Sequence, residues 1–146
     1  MTEDAEVRKI VVGVDGSEHA VRALRWAVGE ATLRGIELQM VTCWAYPPVL
    51  AVMPLDVDPW NDRDFHENAR AELQAAVTKV GLDDVALPWR ADVRCGSAAR
   101  VLIEESEHAE LMVVASRGRG GFAGLLLGSV SQQVVAHAKC PVVVVH

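Results

Sequence analysis

Strand-like and helix-like apolar periodicities alternate along the whole chain, and that alternation restricts the fold more than any other feature of the sequence. Segments that switch between short apolar runs and 3.6-residue stripes are βαβ units, whose crossover helices return the chain so that successive strands run parallel. Lys9 to Val14 is an apolar run without alternation, as expected for a strand covered by helices on both faces. It breaks at Asp15-Gly16-Ser17, after which Val21, Leu24, Ala27, Val28 and Ala31 share one helical face until Gly35 stops the helix. A second strand is predicted from about Ile36 to Trp44. The prolines at 47, 48, 54 and 59 then predict a long loop from Tyr46 to Trp60, either a functional segment, as long loops in compact domains often are, or a passive surface excursion.

Helical spacing resumes with Phe65, Ala69, Leu73, Ala76, Val77 and Val80, and Gly81 ends it. Leu87, Trp89, Ala91, Val93 and Cys95 alternate with Pro88, Arg90, Asp92 and Arg94, which predicts a strand with one wet face. Pro88 has no amide to donate, so this strand belongs at a sheet edge. Gly96-Ser97 opens a helix to about Glu107, with Ser97 as its N-cap, and Leu111 to Ala115 is another buried strand. A helix from about Ser129 to Ala138 and a last strand, Val142 to Val145, complete five strands and four helices. With 146 residues, about half of them apolar, residues 1–146 are expected to form one α/β domain around a largely parallel sheet.

Several function classes are disfavoured by composition. The apolar runs are short and broken by charges, far below the roughly 20 residues that cross a bilayer. The acidic opening Met1-Thr2-Glu3-Asp4-Ala5-Glu6 is unlike a secretory signal, so a cytoplasmic protein is expected. Cys43, Cys95 and Cys140 are odd in number, far apart and in strand-like surroundings, which predicts buried thiols rather than disulfides or a metal cluster. A formal charge of −6 argues against nucleic acid as the main partner. His19, His66, His108, His137 and His146 are scattered, and Glu104, Glu105 and Glu107 point to different sides of a helix. No nucleophile and base can be paired, so the chain reads as a non-enzyme, with slow nucleotide hydrolysis at most.

The chemistry concentrates between Ala115 and Ser131, where a buried strand passes into a helix through glycines at 118, 120, 121, 124 and 128. Glycine reaches positive φ and carries no side chain, so backbone amides there can approach a phosphate closely, and the following helix aims its free amides at the same ligand. Ser129 and Ser131 add hydroxyl donors, and Arg117 and Arg119 offset anionic charge. In the competing structural reading the glycines merely shape a turn and Ser129 caps the helix, Ser129-x-x-Gln132 matching a capping box. The segment has no Gly-Lys-Ser/Thr triplet, and Gly118-x-Gly120-x-x-Ala123 only partly fits a dinucleotide fingerprint.

Gly118, nine further residues and Gly128-Ser129, with Val12-Gly13-Val14-Asp15-Gly16-Ser17 near the start and Lys139-Cys140-Pro141 before the last valines, resemble the nucleotide-binding branch of the universal stress protein family. The likeness runs from Arg8 to His146, with Ala115 where the pattern has its first glycine. It implies a doubly wound, Rossmann-like open sheet of order 3-2-1-4-5 with helices on both faces, placing the ends of the first and fourth strands at the topological switch point. Carried over by position, Gly13, Asp15, Cys43, Val114 and Ala115 flank adenine and ribose, while Gly118, Gly128, Ser129, Val130 and Ser131 hold the phosphates. The implied ligand is ATP with magnesium; Asp15 bonds the nucleotide, assists the ion, or only forms the turn. Ala115 closes a β-branched strand, so extended dihedrals and a small side chain are expected there.

Two functions follow: a nucleotide-dependent stress-response module presenting an altered surface to a protein partner, or a nucleotide-free dimeric chaperone-like module. In that strand order Val142 to Val145 forms an edge with no charge and no alternation, which predicts a homodimer through the last strand.

Overall fold

The computed structural model describes residues 7–46, 62–119, 124 and 126–146. The acidic opening, the segment from Pro47 to Trp60, and Gly120 to Ala123 in the glycine-rich stretch lie outside the described residues. The strands are β1 (Lys9–Gly13), β2 (Glu37–Trp44), β3 (Trp89–Cys95), β4 (Leu111–Ala115) and β5 (Val142–Val145); the helices are α1 (Glu18–Arg34), α2 (Asp62–Lys79), α3 (Ala98–Ser106) and α4 (Ser129–His137). They form one parallel sheet of order β3-β2-β1-β4-β5, as expected.

Successive side chains of a strand point to opposite faces, and each face has its own apolar cluster. Ile10, Val12, Leu38, Met40 and Val113 pack under α1 and α2, meeting Leu24, Ala27, Leu73 and Val77. Val11, Val41, Met112 and Val114 pack under α3 and α4, meeting Val101, Leu102 and Val134. Covering both faces requires continuous apolar runs in β1 and β4, whose residues 10–12 and 111–114 are all buried. Local signals fix the helix ends. Ser17 Oγ accepts from the Ala20 amide (3.1 Å) at the start of α1, and Gly35, at φ 65°, returns its amide to the Ala31 and Thr32 carbonyls.

β3 departs from its expected one-wet-face pattern. Trp89 and Val93 pack on the α1/α2 cluster, but Ala91 and Cys95 on the same face are exposed. On the opposite face Asp92 and Arg94 are half-buried because each finds a partner: Gln39 Nε2 donates to Asp92 Oδ2 (2.8 Å) and Arg94 donates to Glu105 (2.7 Å). Cys95 is therefore not a buried thiol, and Cys43 and Cys140 are only half-buried; all three are free. No described helix is long and apolar enough to cross a membrane.

Candidate functional site

β1 and β4 lie side by side, Ile10 against Leu111 and Val12 against Val113, yet their crossovers leave in opposite directions. β1 feeds α1 and β2; β4 feeds the glycine-rich loop, α4 and β5. The chain parts at the carboxyl ends of the two strands, the position where open α/β sheets form their crevice. A cavity of about 360 Å³ opens there.

One wall is apolar. Gly13 of β1, Cys43 of β2 and Val114 and Ala115 of β4 contribute to it, joined by Val41, Ala98 and Leu102, which sequence reasoning missed. The signal for the last two lay in α3, whose apolar spacing marks them as inward but not as cavity-lining. Gly13 is needed for room: a Cβ there would stand 3.0 Å from Leu102 Cδ1. Ala115 lies within β4, and no described residue other than glycine has positive φ, so alanine fits this position without backbone strain. Burial pushes the Cys43 thiol up to about 11, against the weaker pull of Arg94 and Arg100, so it is neutral near pH 7 and no nucleophile.

The other end is built from backbone. Gly118, Gly128, Ser129, Val130 and Ser131 line it, together with Asp15, Arg117 and Arg119. The Asp15 carboxylate is fixed by one oxygen: Oδ1 accepts from the Ser17 amide (2.9 Å) and the Ser17 hydroxyl (2.5 Å). Its other oxygen faces Gly118, where a Cβ would lie 2.7 Å from Oδ2. The base of the loop is clamped at the Ser116 carbonyl, which accepts from the Gly128 amide (2.6 Å) and from Ser131 Oγ (3.0 Å). The buried Ser131 hydroxyl thus gives its proton to the protein and shapes the loop rather than pointing a donor outward.

The capping box of the competing structural reading is absent. Gly128 takes the N-cap with φ −71° and ψ 168°, which places Ser129 inside the first turn, and Gln132 Nε2 donates to the Leu127 carbonyl (3.1 Å). The first intrahelical bond of α4 runs from the Gln132 amide to Gly128 (3.0 Å), so the amides of Ser129, Val130 and Ser131 precede it and carry the positive end of the helix. Among the described residues no group of three or more His, Cys, Asp or Glu is placed to share a metal ion. An apolar wall thus adjoins an amide-rich end.

The universal stress protein family model matches residues 6–146. The universal stress protein Rv2005c of Mycobacterium tuberculosis is 36% identical over 143 residues, covering 97% of this chain but 46% of the relative. The chain thus spans about half the length of the curated relatives it matches. Among solved structures, a universal stress protein in complex with cAMP is similar with a TM-score of 0.68 and 24% identity, covering 97% of this chain and 99% of the other. The universal stress protein of Archaeoglobus fulgidus in complex with dAMP gives a TM-score of 0.68 at 22% identity, with the same two coverages of 97% and 99%. At these identities the solved structures speak to the fold, and the family match carries the rest: this chain belongs to the universal stress protein family.

Proposed function

We propose that the chain binds an adenine nucleotide, ATP with magnesium, in the switch-point cavity and acts as a nucleotide-dependent binding module rather than an enzyme. The observation that carries this reading is the convergence of all ten candidate residues on one cavity with an apolar wall at one end and first-turn amides at the other. The apolar wall suits adenine, and the Gly118 and Ser129 to Ser131 backbone suits phosphate. The cAMP and dAMP complexes of two structural neighbours support an adenine ligand. Magnesium would be held chiefly by the phosphates, with Asp15 Oδ2 as the protein's contribution, because Oδ1 is committed to Ser17.

Among the described residues no base is positioned at the anion end, and in this reading bound nucleotide persists as a signal instead of turning over. The terminal place of β5 in the sheet supports a homodimer formed through that strand, and the reading takes residues 1–146 as one domain of a cytoplasmic protein. Acid denaturation of protein purified from cells, followed by chromatography, tests the reading. Release of an adenine nucleotide in near-equimolar amount is expected. A dimer that releases none and takes up none on incubation favours the nucleotide-free chaperone-like module instead.

A further inference from the structure

Arg119, the second arginine of the glycine loop, is already engaged. Its Nη2 lies 2.5 Å from Glu72 Oε1 of α2, and the pair rests on Gly16, where a Cβ would overlap Arg119 Nη2 and come within 3.2 Å of Glu72 Cδ. The β1–α1 turn, α2 and the glycine loop therefore meet at one ion pair beside the cavity. Ala69, Leu73 and Ala76 are buried on the inward side of α2, and Glu72 lies two turns from Phe65 beside that stripe, where an apolar residue would bury more surface. Its ion-pair partner among the described residues is Arg119 alone.

We infer that the Arg119–Glu72 pair is a latch exchanged on ligand binding: Glu72 holds Arg119 while the cavity is empty, and a ligand phosphate takes Arg119 from Glu72, reporting occupancy to α2. The inference rests on the phosphate-binding reading above. Magnitudes favour the exchange. With side-chain exposures of 58% and 33%, the pair is worth no more than about a fivefold bias in equilibrium. A phosphate carries more charge than a carboxylate, and arginine takes either one in charge-assisted, frequently bidentate bonds. The released helix is coupled onward, since Phe65 of α2 stacks on Trp44 of β2 with ring centroids 5.7 Å apart and planes 4° from parallel.

The test titrates wild type, Glu72→Gln, Arg119→Ala and the double variant with magnesium ATP by calorimetry, and follows amide hydrogen exchange across residues 62–79. Glu72→Gln should bind about two- to fivefold more tightly, and that gain should vanish in the Arg119→Ala background. ATP should raise exchange around Glu72 in wild type, and Glu72→Gln should show raised exchange before ligand is added. Equal or weaker binding by Glu72→Gln overturns the exchange, and a gain that persists without Arg119 does so too, because it reports only a removed charge. Unchanged exchange in α2 on saturation overturns the transmission to that helix. Binding by none of the four proteins overturns the phosphate reading itself, and the latch with it.

Discussion

Gly118 and Gly128 look equivalent in sequence, and the structure separates them. At Gly118 a Cβ would lie 2.7 Å from Asp15 Oδ2, far inside van der Waals contact. The carboxylate cannot simply swing away, since Oδ1 is held by the Ser17 amide and hydroxyl at 2.9 and 2.5 Å. A Gly118→Ala variant must either break a hydrogen bond to that charged group or push the loop outward. Losing one such bond costs about 1.5–3 kcal/mol. The variant must restore the wild-type placement in order to bind, so this energy enters the affinity and weakens ATP by roughly tenfold to a hundredfold. At Gly128 a Cβ would meet Arg117 Cα, Gly118 N and Ser116 O at 3.6 Å, ordinary contacts, with φ and ψ open to any residue. Gly128→Ala forfeits only a better N-cap and should lose less than about fivefold. Calorimetric titration of both variants with magnesium ATP decides the matter. Wild-type affinity in Gly118→Ala, or a larger loss in Gly128→Ala, would refute the role given to Asp15 and Gly118.

Four further outcomes are expected. Ser131→Ala removes the hydroxyl that clamps the Ser116 carbonyl and should lower stability by about 1 kcal/mol, a drop of about 2–4 °C in a thermal melt. Because burial raises the Cys43 thiol from 9.0 to about 11, Cys43 should alkylate far more slowly at pH 7.5 than exposed Cys95, and nucleotide should slow it further. The same shift fixes a sign: below pH 9 both folded and unfolded states keep this proton, and above it the unfolded state loses it first. The group's contribution to stability therefore declines from pH 9 to about 11, and Cys43→Ser should remove that part of the decline in a denaturant titration series. In the β4–β5 ladder the Pro141 and Val145 carbonyls accept from Met112 and Ser116, so by period-two alternation Val142 and Val144 turn their amides outward. Val144→Pro should convert a particle of about twice the 15.8 kDa chain mass into a monomer by light scattering while leaving the β4 ladder intact.

The alternation of strands and helices was legible because it depends on near-neighbour signals, whereas the strand order was implied by the family likeness. Apolar runs mark the doubly covered strands β1 and β4, Pro88 marks an edge, and Gly35 and Gly81 mark helix ends. The switch point followed from the likeness between the 118–129 pattern and the family's loop. Contacts between elements far apart in sequence were not legible. Nothing local pairs Glu72 with Arg119, 47 residues away, or Ser131 with the Ser116 carbonyl. The alternative in which Ser129 caps the helix could not be settled from the sequence because a glycine one residue earlier can also take the N-cap, and the Gly128 dihedrals decide between them. Cys95 and Ala91 looked buried by alternation, but alternation reports a face and not whether a helix covers the whole length of an edge strand.

The central claim is that an adenine nucleotide occupies the crevice between the ends of β1 and β4. A two-dimensional amide NMR titration with magnesium ATP tests it most directly. The account predicts saturable shifts concentrated at Gly13, Asp15, Ala115, Gly118 and the first turn of α4 from Ser129 to Ser131, with a smaller set in α2 around Glu72. A spectrum unchanged at millimolar ATP, or shifts that cluster away from this cavity, would contradict it.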